Sequence, residues 1–150
     1  KILKVLDYLK SQKIIHRDIK LENILLKAKD NDYDFKLADF GLATEFQDYP
    51  KLRCGSPGYI APEILRKQPY GFKVDTFSAG IIIYTLLTGK MPFCALTPQK
   101  ILEKNINCNI NFDGEIFKHI SNHAVSLVKK LTCVCPELRI IPEKALLHKW

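Results

Sequence analysis

The residues best suited to chemistry lie in two short clusters. His16-Arg17-Asp18-Ile19-Lys20-Leu21-Glu22-Asn23 sets an Asp, a Lys and an Asn two and three residues apart inside an otherwise apolar stretch. Burying that many polar groups for structure alone would be expensive. Further along stands Asp39-Phe40-Gly41, a carboxylate at the end of an apolar strand followed by a glycine able to act as a hinge. Two carboxylates, an amide and an amine converging at strand ends suit a divalent metal carrying a phosphate. Mg2+ takes one or two carboxylates together with phosphate oxygens, and the Lys neutralises phosphate charge.

The elements that must hold these clusters follow from periodicity. Residues 1–12 place Ile2, Leu3, Val5, Leu6 and Leu9 on one face at three- and four-residue steps, which predicts a helix. Two short apolar runs, Ile14–Ile15 and Ile24–Leu26, flank the first cluster. The polar turn Lys27–Asp34 and the alternation resuming over Phe35–Ala38 predict a small hairpin. Gly55, Gly58, Pro50, Pro57 and Pro62 rule out a long helix over 41–63 and predict an ordered or switchable loop. Residues 75–88 are apolar nearly all round, which predicts a buried central helix closed by Gly89. Pro98–Asn105 and Ala124–Leu131 read as amphipathic helices, and Pro142 opens a last helical turn. The expected fold is mainly α: about six helices around 75–88, with one small hairpin beside the first cluster.

Composition narrows the function classes. With 150 residues, 47% of them hydrophobic and 10% aromatic, the chain suits one compact domain and not a disordered one. The net charge of +7 is dispersed, with no basic run longer than two residues, so a nucleic-acid partner is not expected. The longest apolar stretch, Phe77–Leu87, is about half the ~20 residues of a membrane span, and the chain opens on no secretory leader pattern. Five cysteines, an odd number without C-x-x-C spacing, read as small apolar fillers in a reducing compartment, hence a cytoplasmic or nuclear protein.

The chain resembles the C-terminal (large) lobe of a eukaryotic protein kinase. The resemblance rests on three motifs in family order: H-R-D-x-x-x-x-N at His16 to Asn23, D-F-G at Asp39-Phe40-Gly41, and A-P-E at Ala61-Pro62-Glu63. Gly55-Ser56-Pro57-Gly58-Tyr59, Asp75-x-Phe77-Ser78-x-Gly80 and Pro136-Glu137-Leu138-Arg139 extend it over essentially the whole chain. Lys20 is similar to the Ser/Thr branch. Cys54–Tyr59 and Leu86–Phe93 are most similar to the calcium/calmodulin-dependent group, which implies regulation by calmodulin or by a segment outside this chain.

The resemblance implies transfer of a phosphoryl group from ATP, with Mg2+, to Ser or Thr of a protein. It makes Asp18 the group that orients and deprotonates the acceptor hydroxyl, and Lys20 the contact for the transferred phosphoryl. Asn23 and Asp39 become the Mg2+ ligands, and Leu25 packs under the adenine. Ser56 lines the pocket for the residue after the acceptor. Glu22 is either a contact for a basic substrate residue or a solvated carboxylate. His16 is a packed imidazole beneath Phe40, Gly41 completes the hinge triplet, and Asp75 belongs to the motif that follows the A-P-E. Glu63 and Arg139 form a buried ion pair bracing the loop. Arg17 pairs with a loop phosphate where the family uses one. Many relatives carry that phosphate on a Thr, but Leu52 stands there in this chain. Activation is therefore expected not to use that site, with Glu45 and Asp48 as the nearest substitutes for its charge.

Several family features are missing. Leu21 replaces the usual Pro, Phe77 the usual Trp and Cys135 the usual Asp. No stretch resembles the N-terminal β lobe: there is no Gly-rich phosphate loop and no V-A-I-K strand. The 150 residues thus read as a partial kinase domain. A non-catalytic lobe that serves as a scaffold and a decayed or truncated kinase gene product are the alternatives.

Overall fold

The computed structural model describes residues 1–28, 31–47 and 52–150. Asp48, Tyr49 and Pro50, and part of the turn expected over Lys27–Asp34, lie outside the residues whose structure is described.

The first helix, α1 (Ile2–Ser11), buries Leu3, Leu6 and Leu9. Strand β1 (Ile14–Ile15) follows, then a 3-10 turn over Leu21–Asn23 that carries the end of the first cluster. Strands β2 (Ile24–Ala28) and β3 (Asn31–Leu37) pair antiparallel, with Ile24 opposite Leu37 and Leu26 opposite Phe35. This is the expected hairpin, but with longer strands: Lys27, Ala28 and residues 31–34, part of the expected polar turn, belong to β2 and β3. A second pairing was not expected: β4 (Thr44–Glu45) runs antiparallel to β1, with Ile15 opposite Thr44. Two residues carry no readable periodicity, and the partner lies thirty positions away, so only the folded chain reveals this pairing.

Helix α2 (Pro62–Leu65) is short, opens on a proline and buries all four residues. Helix α3 (Lys73–Thr88) starts two residues before the expected boundary and ends at Gly89 in the left-handed conformation. Every residue from Val74 to Tyr84 is buried. Phe77, Ile81 and Ile82 face one apolar cluster with α1 and β1, while Ile83 and Tyr84 face another with Leu127, Val128 and Leu131. This two-sided burial is what an all-round apolar helix requires. The last turn departs from expectation, since Leu86 is exposed.

Helix α4 (Pro98–Asn107) is capped by the Thr97 hydroxyl, and α5 (Asn122–Leu131) by Ser121. A 3-10 turn over Glu115–His119 precedes α5, and α6 (Pro142–Leu146) packs on α1. The approach of α3 to α5 explains Gly80, because a Cβ there would sit 2.7 Å from Thr132 Cγ2. The five cysteines are free thiols. Cys108 is a buried filler whose thiol burial pushes up to about 11, but Cys94 and Cys135 are exposed, so the filler reading is corrected for those two. Both lie in irregular segments between helices, where a small residue need not face the core.

Candidate active site

The first cluster is built on one buried carboxylate. Asp75, in the first turn of α3, accepts the backbone N–H groups of His16 (2.7 Å) and Arg17 (2.9 Å). These bonds hold Arg17 at φ +68°, a left-handed conformation that a residue of its size rarely adopts. Burial pushes the Asp75 carboxyl up to about 6, against the pull of the two N–H donors. Removing this side chain would leave two inward-facing N–H groups without a partner.

His16 is fully buried. Its Nδ1 accepts from the Asp18 N–H at 3.3 Å, so its Nε2–H donates to the Ala38 carbonyl at 3.1 Å. The ring meets Phe40 edge-on, with centroids 4.7 Å apart. Burial lowers the His16 pKa below the ordinary 6.5. A group depressed in the folded state favours folding above its unfolded pKa, and that contribution is lost as pH falls. The His16 Cε1 proton should therefore titrate in NMR with a midpoint below 6.5. A midpoint at or above 6.5 would contradict the neutral ring and its two hydrogen bonds.

Asp18, Lys20 and Ser56 close a triangle. Lys20 Nζ donates to Asp18 Oδ2 (2.7 Å) and to Ser56 Oγ (2.8 Å), and Ser56 Oγ donates to Asp18 Oδ1 (2.7 Å). Burial raises the Asp18 pKa, but the bonds from Lys20, Ser56 and Asn23 outweigh it and hold the carboxyl below its usual range. Hydrogen bonding to Asp18 in turn raises Lys20. The result is an ionised carboxylate and an ammonium in contact, neither more than about a fifth exposed.

Asn23 joins this group from the 3-10 turn. Its Nδ2 donates to the Asp18 carbonyl at 2.9 Å, and its own carbonyl accepts the Ala38 N–H at 2.9 Å. That second bond brings the residue before Asp39 against Asn23. Asp39 stands at φ +59°, exposed, with its Oδ1 accepting from the Gly41 N–H at 3.2 Å. Asn23 turns its NH2 to Asp18, and among the described residues no group donates to its Oδ1. An amide oxygen and an exposed carboxylate are hard donors of the type that Mg2+ takes.

The remaining expected residues surround this centre. Glu22 is exposed and close enough to Tyr59 to raise its phenol, although burial is the larger cause. Leu25 and Leu26 are both exposed, so β2 is open on both faces, and Phe40 is exposed as well. Glu63 and Arg139 lie apart from the triangle and face each other in the core, with Nη1 at 2.6 Å and Nη2 at 2.9 Å from the two carboxylate oxygens. Arg139 also donates to the carbonyls of Cys133, Lys73 and Val134 and stacks on Phe77. The Lys73 carbonyl belongs to the same turn of α3 as Asp75, so one helix end carries both the ion pair and the cluster.

Three contacts were not foreseen. Among the described residues Arg17 does not pair with the expected Glu45, which accepts from Gln47, while Arg17 Nε donates to the Leu42 carbonyl at 2.6 Å; Asp48 lies outside the described residues. Tyr70, an aromatic between Pro69 and Gly71 in an otherwise polar stretch, is buried against Arg17. Its position in a turn-like run was the available signal. Asn105 is fully buried, accepts from the Gly58 N–H (2.6 Å) and donates to the Ile60 carbonyl (3.1 Å), which clamps the 58–60 segment onto α4. Its place inside an amphipathic helix gave no sign of this.

The fold is mainly α, and it seats an Asp, a Lys and an Asn on one loop whose last residue is hydrogen-bonded to the residue before the D-F-G carboxylate. The whole chain, residues 1–150, matches the family model described as protein kinase domain, and the chain belongs to that family. It is 38% identical over 152 residues to a probable serine/threonine-protein kinase 2 of Plasmodium falciparum, covering 100% of this chain and 30% of that protein. It is 42% identical over 152 residues to calcium/calmodulin-dependent protein kinase type IV of Mus musculus, covering 99% of this chain and 32% of that protein. It is 40% identical over 151 residues to calcium-dependent protein kinase 4 of Solanum tuberosum, covering 99% and 27%. The chain thus spans about a third or less of the length of these relatives. Among the described residues, no helix is long and apolar enough to cross a membrane.

Proposed function

We propose that this chain is the large, C-terminal lobe of a Ser/Thr protein kinase domain and carries its catalytic loop. The Asp18–Lys20–Ser56 triangle supports this reading best, because it holds an ionised carboxylate and a cation where an acceptor hydroxyl and a phosphoryl group would meet. Asp18 orients the Ser or Thr hydroxyl of a protein substrate and accepts its proton on a carboxylate oxygen. Lys20 shifts from its carboxylate partner to the oxygens of the group in transfer. Ser56 lines the site for the residue after the acceptor, and Leu25 offers an apolar face to the adenine of ATP. Asn23 and Asp39 hold Mg2+, which supplies charge neutralisation at the phosphates. Likeness to calcium- and calmodulin-named relatives supports control by calmodulin or by a segment outside this chain, in an intracellular setting.

The experiment is transfer of labelled phosphate from ATP to Ser or Thr of a peptide library by the full-length protein. Transfer that requires Mg2+ supports the reading, and none under any metal or calmodulin condition overturns it. Asp39→Asn should weaken Mg-ATP binding at least tenfold, since losing a group that merely supports a metal ligand already costs about 10–100-fold. Calorimetry showing wild-type affinity in Asp39→Asn would remove Asp39 from the metal site.

A further inference from the structure

We propose that Tyr70 is a positioning residue that locks the Leu52–Ser56 segment onto the catalytic loop, so that no anion is needed on that segment; the proposal rests on the kinase reading above. The lock runs through three contacts within five residues. Tyr70 Oη donates to the Leu52 carbonyl at 2.8 Å and accepts from Arg17 Nη1 at 3.4 Å. Gly55, at φ +111°, lies against the Arg17 backbone so closely that a Cβ would stand 2.9 Å from its carbonyl oxygen. Ser56 then reaches Asp18 at 2.7 Å. Leu52 and Ser56 are thereby tied at their two ends to the same turn of the catalytic loop.

Both sides of the contact are rigid. Asp75 pins the Arg17 backbone, and the Leu42 carbonyl takes its Nε. Tyr70 is 3% exposed, and burial raises its phenol above the ordinary value, which keeps the hydroxyl a donor. No carboxylate among the described residues pairs with Arg17, and Leu52 has no hydroxyl to carry a phosphate. A neutral hydroxyl gives a weaker bond to a guanidinium than an anion does. Unlike a phosphate it is always present, so the order it confers does not depend on modification.

The test uses the full-length protein and Tyr70→Phe, which keeps the ring and deletes the hydroxyl. Backbone amides of 53–56 should exchange faster with deuterium in the variant, while those of α3 keep their rates. That readout holds whether or not the protein transfers phosphate, so failure of the lock and failure of the kinase reading are separable. With a peptide substrate, kcat/KM should fall about tenfold, the scale of one hydrogen bond to a charged group. The KM for ATP and the melting temperature should not move. Tyr70→Phe and Arg17→Gln together should cost less than the sum of their separate effects, because the two side chains share a hydrogen bond. Phosphatase treatment should leave wild-type activity unchanged. Unaltered exchange at 53–56, strict additivity with Arg17→Gln, or activity lost together with a stoichiometric phosphate between Leu42 and Tyr59 would each overturn the proposal. A lowered melting temperature with faster exchange throughout would overturn it too, since the hydroxyl would then serve the core.

Discussion

Asp18→Asn in the full-length protein should lower kcat about a thousandfold and leave Mg-ATP affinity within about twofold of wild type. The substitution keeps the size of the side chain and one acceptor oxygen, but it cannot accept on both sides as the carboxylate does from Ser56 on Oδ1 and from Lys20 and Asn23 on Oδ2, and it removes the negative charge that can take a proton. The hydrogen bonds that hold this carboxyl below its usual range show it ionised at neutral pH, ready for that role. The proposed metal ligands, Asn23 and Asp39, are untouched. Steady-state kinetics with calorimetry separates the two effects. Equal losses of affinity in Asp18→Asn and Asp39→Asn would show that the two carboxylates do not divide the work in this way.

Glu63→Ala should destabilise the folded chain by about 3–5 kcal/mol, the cost of stranding one partner of a buried ion pair. Arg139 is 1% exposed and cannot lose its proton, so the guanidinium would keep three carbonyl partners and lose both carboxylate oxygens. The melting temperature should fall by about 10 °C. Glu63→Leu combined with Arg139→Met should recover part of the loss, because no charge then remains in the core. Equal melting temperatures for wild type and Glu63→Ala would show that the pair contributes nothing. The damage should reach the candidate site, since Arg139 also bonds the Lys73 carbonyl, in the same turn of α3 as the carboxylate that fixes His16 and Arg17.

What the amino-acid order determined by itself was whatever depends on near neighbours. The i, i+3, i+4 apolar steps of α1 and α5, the all-round apolar run of α3 and the prolines at 98 and 142 act through local geometry, so they read directly as helices and helix starts, whereas the short α2 at Pro62 falls in a stretch that reads as loop. The candidate catalytic residues were visible for the same reason. Asp18, Lys20 and Asn23 fall within six positions and bond to one another. Apart from the Glu63–Arg139 pair and the His16–Phe40 contact, which the family resemblance implied, the tertiary structure alone decided the contacts between distant segments. Arg17 has its N–H on Asp75 and its guanidinium between Leu42 and Tyr70, partners 25 to 58 positions away. Thr44 pairs with Ile15, and Asn105 satisfies Gly58 and Ile60 from another helix. An arginine, a tyrosine or an asparagine can be satisfied by water as readily as by a buried carbonyl. Its residue type therefore names no partner, and which polar groups meet depends on how the apolar faces of α1, α3 and α4 pack and exclude that water.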